Sequence, residues 1–314
     1  MTAAALSHIE APITPRAYVL CAFAAFGGIL FGYDSGYISG VLGMDYFKKE
    51  FGHPVPRAVG NSGYLYYTWE KSLITSILSA GTFIGALVSG SIADWIGRRY
   101  TVIVGSGVFT LGVVLQVAST TVGLLVAGRL IAGLGVGFIS AIVILYMSET
   151  APKRVRGTIV SGYQFSVTVG LLLAACVDQA THKFANSGSY RIPIAIQFLW
   201  AMILGIGFTF LPESPRWYVK EGKVDKAGQA LSRIRGQSDI SQAIQDELDE
   251  IVASYEYEIS LGKASWRDCF KGGMRPSSNL RRVILGTGLQ MFQQWTGVNF
   301  ICMASILLES IWKW

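Results

Sequence analysis

Long apolar runs separated by short polar links dominate the chain. A helix needs about 20 residues to cross the hydrocarbon of a bilayer. Seven runs approach or exceed that length: Tyr18 to Leu42, Ser72 to Ala93, Thr101 to Ala118, Val122 to Met147, Thr158 to Val177, Pro193 to Leu211 and Val283 to Leu308. Lipid offers backbone N–H and C=O groups no partner, so each run is predicted to close its own hydrogen bonds as a helix. The first follows a polar, proline-bearing start, Ala11 to Arg16. It is longer than the apolar core of a signal peptide and is read as a retained span. Residues 218–281 differ in character: "GKVDKAGQALSRIRG" and "SDISQAIQDELDEIVASYEYEIS" mix charge with apolar residues at helical spacing. Two or three amphipathic helices at the membrane surface are predicted there, the second capped by Asp239 or Ser241.

Composition agrees, since 51% of the 314 residues are hydrophobic and only 15% charged. The positions of arginine and lysine set the expected orientation. Arg98 and Arg99 lie in the second link, and Lys153, Arg154 and Arg156 in the fourth, so both links and the N-terminus are expected on the cytoplasmic side. Topology thus accounts for the net charge of +6. A nucleic-acid partner is not expected, because no basic face with base-reading side chains is present. Cys21, Cys176, Cys269 and Cys302 are scattered singly, without metal or disulfide spacing. The expected organisation is a cytoplasmic tail (1–17), a six-helix membrane bundle (18–211), a cytoplasmic helical linker (212–281) and a seventh transmembrane helix (282–314).

Several motifs carry chemistry. Gly28, Gly32, Gly36 and Gly40 recur every four residues and form a strip that lets another backbone approach. Asp34 is about 200° around the helix from Gly32, at the 100° step of an α-helix, and so points away from that strip. An ionisable group at membrane depth is a functional-site hypothesis. Its expected partner is Arg129 in "GRLIAGLGVGF", either as a static pair or as one that exchanges pairing for a proton. "GLGVGF" is no dinucleotide loop, because Phe138 replaces the third glycine and the run lies in mid-span; Gly133 and Gly137 read as a second close-packing pair. Ser161, Gln164 and Thr168 share a face in the fifth span, as Gln290, Gln293, Gln294 and Gly297 do in the seventh. Amides in hydrocarbon need partners, so both faces are expected to line a watery cavity or an interface. Asp94, Glu149 and Glu213 lie beside the arginines at three successive helix ends. They suggest an ion-pair lattice of individually weak, wet pairs; the bland alternative is a set of topological anchors.

"GRR" after the second span, "GR" opening the fourth, "PESPRW" after the sixth and "QQWTGVN" in the seventh together resemble the sugar porter family of the major facilitator superfamily, in its fungal hexose transporter form. The resemblance covers residues 18 to about 301. It implies an all-α membrane protein whose first six helices form a 3+3 bundle, followed by cytoplasmic helices and the seventh helix. It also implies alternating-access transport of a monosaccharide, a hexose such as glucose or a pentose, across the plasma membrane. Phe31, Gln164, Gln293, Gln294 and Asn299 would contact the sugar, since an amide offers both donor and acceptor to a hydroxyl. Asp34 and Arg129 match the proton-coupling pair of family symporters, and Asp94, Arg98, Arg99, Glu149, Arg156 and Glu213 fall at the cytoplasmic gate. Asn299 lies about 180° from Gln290 on a regular helix, so it joins the glutamines only if the helix breaks, and Gly297 is placed for that.

The pattern departs from the family at Ile144, where many members carry proline, and at Leu171, where some bacterial members carry glutamine. After "GVNFI" it becomes "CMASILLESIWKW". On that basis the chain is expected to be truncated in the seventh helix, to lack the C-terminal bundle and to be inactive alone. The alternative function is a sensor or regulatory membrane protein that binds sugar without moving it. No metal cluster, nucleophile with base or phosphate loop stands in a plausible site, so neither an enzyme nor a cofactor is expected.

Overall fold

The computed structural model describes residues 15–56, 63–152, 154–238, 241–260 and 278–297. The first apolar run is one span in two helices, α1 (Pro15–Ala25) and α2 (Gly27–Gly43). The break falls at Phe26, just ahead of the Gly27–Gly28 pair, where the Phe26 N–H donates back only three residues, to Phe23 at 3.0 Å. Glycine pairs are a recognised cause of such kinks. A short α3 (Asp45–Phe51) leads into a two-stranded antiparallel hairpin, β1 (His53–Pro54) and β2 (Tyr64–Leu65), with His53 opposite Leu65. The hairpin departs from an all-helical reading, and strands this short leave no period-2 signal.

The remaining spans are α4 (Thr68–Ile96), α5 (Arg98–Val117), α6 (Val122–Thr150), α7 (Arg156–Thr181) and α8 (Gly188–Phe210). With α1–α2 they make, among the described residues, six spans long and apolar enough to cross a membrane. Beyond them come α9 (Pro215–Lys220), α10 (Val224–Arg235), α11 (Gln242–Ser260) and α12 (Asn279–Trp295). The chain forms two compact units, residues 1–251 and 252–314.

Within the first unit α2 packs on α7, α6 on α4, and α5 on both α6 and α8. Two three-helix repeats, α2-α4-α5 and α6-α7-α8, account for two of these pairs, because exchanging them maps the α2–α7 pair onto the α6–α4 pair. The glycine strip makes the first of these pairs. A Cβ built on Gly28 would lie 2.6 Å from the Tyr163 carbonyl oxygen, and one on Gly32 would strike the Val167 carbonyl. Gly133 does the same for α6 and α4, with the Leu78 carbonyl oxygen 2.5 Å from its Cβ position. Small residues permit this approach, and dispersion across the close backbones supplies the attraction that lipid cannot.

In the second unit α12 is described for 17 residues and buries none of them. It ends at Trp295, and Gly297 adopts a φ of +71°. The rest of the seventh apolar run lies outside the described residues.

Candidate functional site

Two polar clusters stand out in the bundle. The first joins the ends of α4, α5, α6 and α8. Gly97 links α4 to α5 with a φ of +95°, a conformation L side chains rarely adopt, and its Cβ position is taken by Glu213. The Glu213 carboxylate accepts the backbone N–H groups of Arg98 (3.0 Å), Arg99 (3.1 Å) and Ser214 (2.9 Å). It therefore caps the first turn of α5, where N–H groups lack helical partners and the helix dipole favours an anion.

Arg98 is the hub of this cluster. Its guanidinium makes a two-pronged pair with Glu149 of α6 (3.1 and 3.0 Å) and reaches Asp94 Oδ1 and the Ala93 carbonyl, both at 3.1 Å. Arg98 and Glu213 are buried, so this part of the lattice is drier than expected from sequence, while Asp94 remains half-exposed. Asp94 also pairs with Lys220 at 2.8 Å, and its carbonyl accepts the Trp217 indole N–H at 3.0 Å. The Arg99 guanidinium donates to the Thr209 carbonyl, and Arg156 Nη2 to the Ala151 carbonyl at 3.5 Å. Both sit beside helix ends whose last carbonyls need donors. Sequence reasoning missed Lys220 and Trp217. It also missed Arg235, which ties α10 to Glu247 of α11 (3.1 and 2.6 Å) and to the Thr150 carbonyl of α6 (3.1 Å).

Burial pushes the Glu213 carboxyl above its ordinary 4.5, and the three N–H donors and Arg98 oppose that push. With the net shift upward, the folded state holds this proton more tightly than the unfolded one. Its contribution to stability is then complete below pH 4.5 and is lost as pH rises through the folded value. Glu213→Gln is expected to remove that part of the pH dependence of the unfolding midpoint. An unchanged slope in the variant would assign it to other groups.

The second cluster lies in the bundle core. Asp34 is 1% exposed and neither carboxylate oxygen has a hydrogen-bond partner. No hydrogen bond joins it to Arg129, its expected partner. Arg129 Nη1 donates instead to the Tyr37 hydroxyl at 2.7 Å, and that hydroxyl donates to Gln116 Oε1 at 2.7 Å. Tyr37 is three residues along α2 from Asp34 and shares its face of the helix. Asp178 of α7, which sequence reasoning did not select, is likewise buried without a partner, its carboxylate filling the space beside Gly40.

The expected sugar contacts fall on separate elements. Phe31 is half-buried against the core. Gln164 lies with Ser161 and Thr168 on the exposed face of α7, where both hydroxyls bond back to their own helix, Ser161 to Gly157 at 2.9 Å and Thr168 to Gln164 at 3.2 Å. The Gln164 amide is the adaptable group of that face. Gln293 and Gln294 are exposed on α12, and Asn299 lies outside the described residues.

Residues 20–311 match the family described as "Sugar (and other) transporter". The major facilitator-type transporter ecdD of Aspergillus rugulosus is 48% identical over 91% of this chain and 51% of its own length. The probable glucose transporter rco-3 of Neurospora crassa is 46% identical over 89% and 46% of the two chains. The high glucose sensor RGT2 of Saccharomyces cerevisiae is 43% identical over 89% and 36%. The chain thus spans about half the length, or less, of these relatives. Among solved structures, the xylose transporter XylE from E. coli in a partially occluded inward-open conformation has the same fold, with a TM-score of 0.73 at 23% identity over 91% of this chain and 65% of that one. XylE bound to 6-bromo-6-deoxy-D-glucose, described as a proton:xylose symporter, gives 0.74 at 25% identity over 91% and 60%.

Proposed function

Because the chain belongs to the sugar transporter family, as a multi-pass membrane protein with the major facilitator fold, we propose that it forms the N-terminal part of an alternating-access carrier that moves a monosaccharide together with protons. The family match running through the whole bundle into α12 carries this reading. In it, the amides of Gln164, Gln293, Gln294 and Asn299 exchange hydrogen bonds with sugar hydroxyls, and Phe31 lies against the ring. Asp34 takes up and releases the proton, with Arg129 as its regulating charge. The Arg98–Glu149–Asp94 cluster, with Glu213 capping α5, is the gate on the cytoplasmic side of the plasma membrane, and the N-terminus lies on that same side. The relatives are named as transporters and a sensor rather than enzymes.

The test is uptake of radiolabelled D-glucose by a yeast without its own hexose carriers that expresses the chain joined to the C-terminal half of a family transporter. Uptake above the empty-vector level that collapses with a protonophore is expected, and Gln164→Ala is expected to raise the KM about tenfold or more, the scale of losing one hydrogen bond to a neutral ligand in a dry site. A second reading, a sugar sensor, is favoured by the identity to the high glucose sensor of S. cerevisiae. It predicts glucose-dependent signalling with no uptake.

A further inference from the structure

The polar core of the bundle is only partly satisfied, and the pattern is informative. Asp34 and Tyr37 are three residues apart on α2 and so share a face. Arg129 of α6 is the one charged side chain that acts on Asp34 among the described residues. Its Nη1 is nevertheless taken by the Tyr37 hydroxyl at 2.7 Å, and its guanidinium carbon lies 5.6 Å from the centre of the Tyr37 ring. Arg129 Nε and both Asp34 oxygens have no hydrogen-bond partner. A donor and two acceptors of opposite charge are thus buried in one core without meeting.

The phenol is held in place from its other side. A tyrosine hydroxyl has one proton to give, and Tyr37 gives it to Gln116 Oε1 at 2.7 Å. Gln116 is itself fully buried at the end of α5, packed against Gly128, one residue from Arg129. With its proton spent on Gln116 and a lone pair occupied by Arg129, the hydroxyl offers nothing to Asp34. Of the other elements packed on α2, α7 brings Asp178 within electrostatic reach of Tyr33 and Tyr37, and α8 carries Gln197, whose buried amide has no hydrogen-bond partner.

We propose that Tyr37, fixed by Gln116, is a positioning residue that holds Arg129 away from Asp34, so that proton exchange at Asp34 depends on whether the guanidinium is held by the phenol or released to the carboxylate. A buried carboxylate–guanidinium pair that stayed closed would hold the carboxylate charged through the transport cycle. A neutral side chain interposed between them provides the second arrangement that a switch requires. The inference rests on the proton-coupled reading of Asp34 and assigns control of that site to two residues outside the pair.

The test uses the purified chain in lipid nanodiscs, titrated by infrared difference spectroscopy, with Asp34→Asn identifying the Asp34 carboxyl band. Tyr37→Phe frees Arg129 to approach Asp34, and a cation beside a carboxylate favours its charged form. The Asp34 midpoint is expected to move toward acid by about tenfold or more in proton concentration. Gln116→Leu is expected to move it in the same sense, because the phenol proton then has Asp34 as its acceptor. In an Arg129→Gln background, Tyr37→Phe is expected to lose its effect, a non-additivity that a purely structural role would not produce. Unmoved midpoints in both single variants, or an equal shift in the Arg129→Gln background, would overturn the inference while leaving the proton-coupled reading intact. A carboxyl band at Asp34 that never changes with pH would overturn both.

Discussion

Arg98→Ala is expected to destabilise the bundle by about 3–5 kcal/mol, the range for removing one partner of a buried ion pair. The size follows from what is left behind. Glu149 has a side chain only 9% exposed, and it would lose both of its donors at once. The Ala93 carbonyl and Asp94 Oδ1 would each lose one more. Lys220→Ala removes an ion pair to the same Asp94, but those side chains are 44% and 49% exposed. It is expected to change stability by less than about 1 kcal/mol, as exposed pairs do. Equilibrium unfolding of the purified chain in mixed micelles, followed by tryptophan fluorescence, measures both. Equal losses from the two variants would show that the Arg98 cluster is a wet surface lattice after all.

Gly32→Ala carries the second large effect. Any side chain at residue 32 must occupy space held by the Val167 backbone, with the carbonyl carbon 2.9 Å from the Cβ position and the oxygen nearer still. Backbone cannot swing aside as a flexible side-chain tip can, so α2 and α7 must separate along their contact. The expected cost is about 3 kcal/mol or more, at or above the upper end for overpacked interiors. Gly90→Ala is the control, because nothing lies within 4 Å of its Cβ position. Alanine gains about 1 kcal/mol of helix propensity over glycine at either site, so the difference between the variants isolates the packing. Comparable stability of the two proteins in the same unfolding assay would refute the tight α2–α7 contact.

The helices were legible because their cause is local. Each apolar run must pair its own backbone groups, and a period of four glycines marks a packing face without reference to any neighbour. The same helical geometry put Asp34 on the far side of α2 from the strip, and the strip is where α7 packs. The hairpin at His53 and Leu65 was not legible, since two residues per strand leave no pattern. Neither was the role of Glu213, whose partners on α5 are backbone N–H groups more than a hundred residues away and carry no signature in residue type.

The sequence by itself determined which segments become helices, which of their faces carry glycine, amide or charge, and which family the chain belongs to, because these follow from residue type and spacing along one axis. Tertiary structure alone decided how the charges are shared. Arg129 meets Tyr37 rather than Asp34, and Arg98 meets Glu149 in a buried rather than a wet setting. Such choices turn on differences of an ångström or two between side chains of separate helices, and Coulomb and hydrogen-bond energies change steeply over that distance.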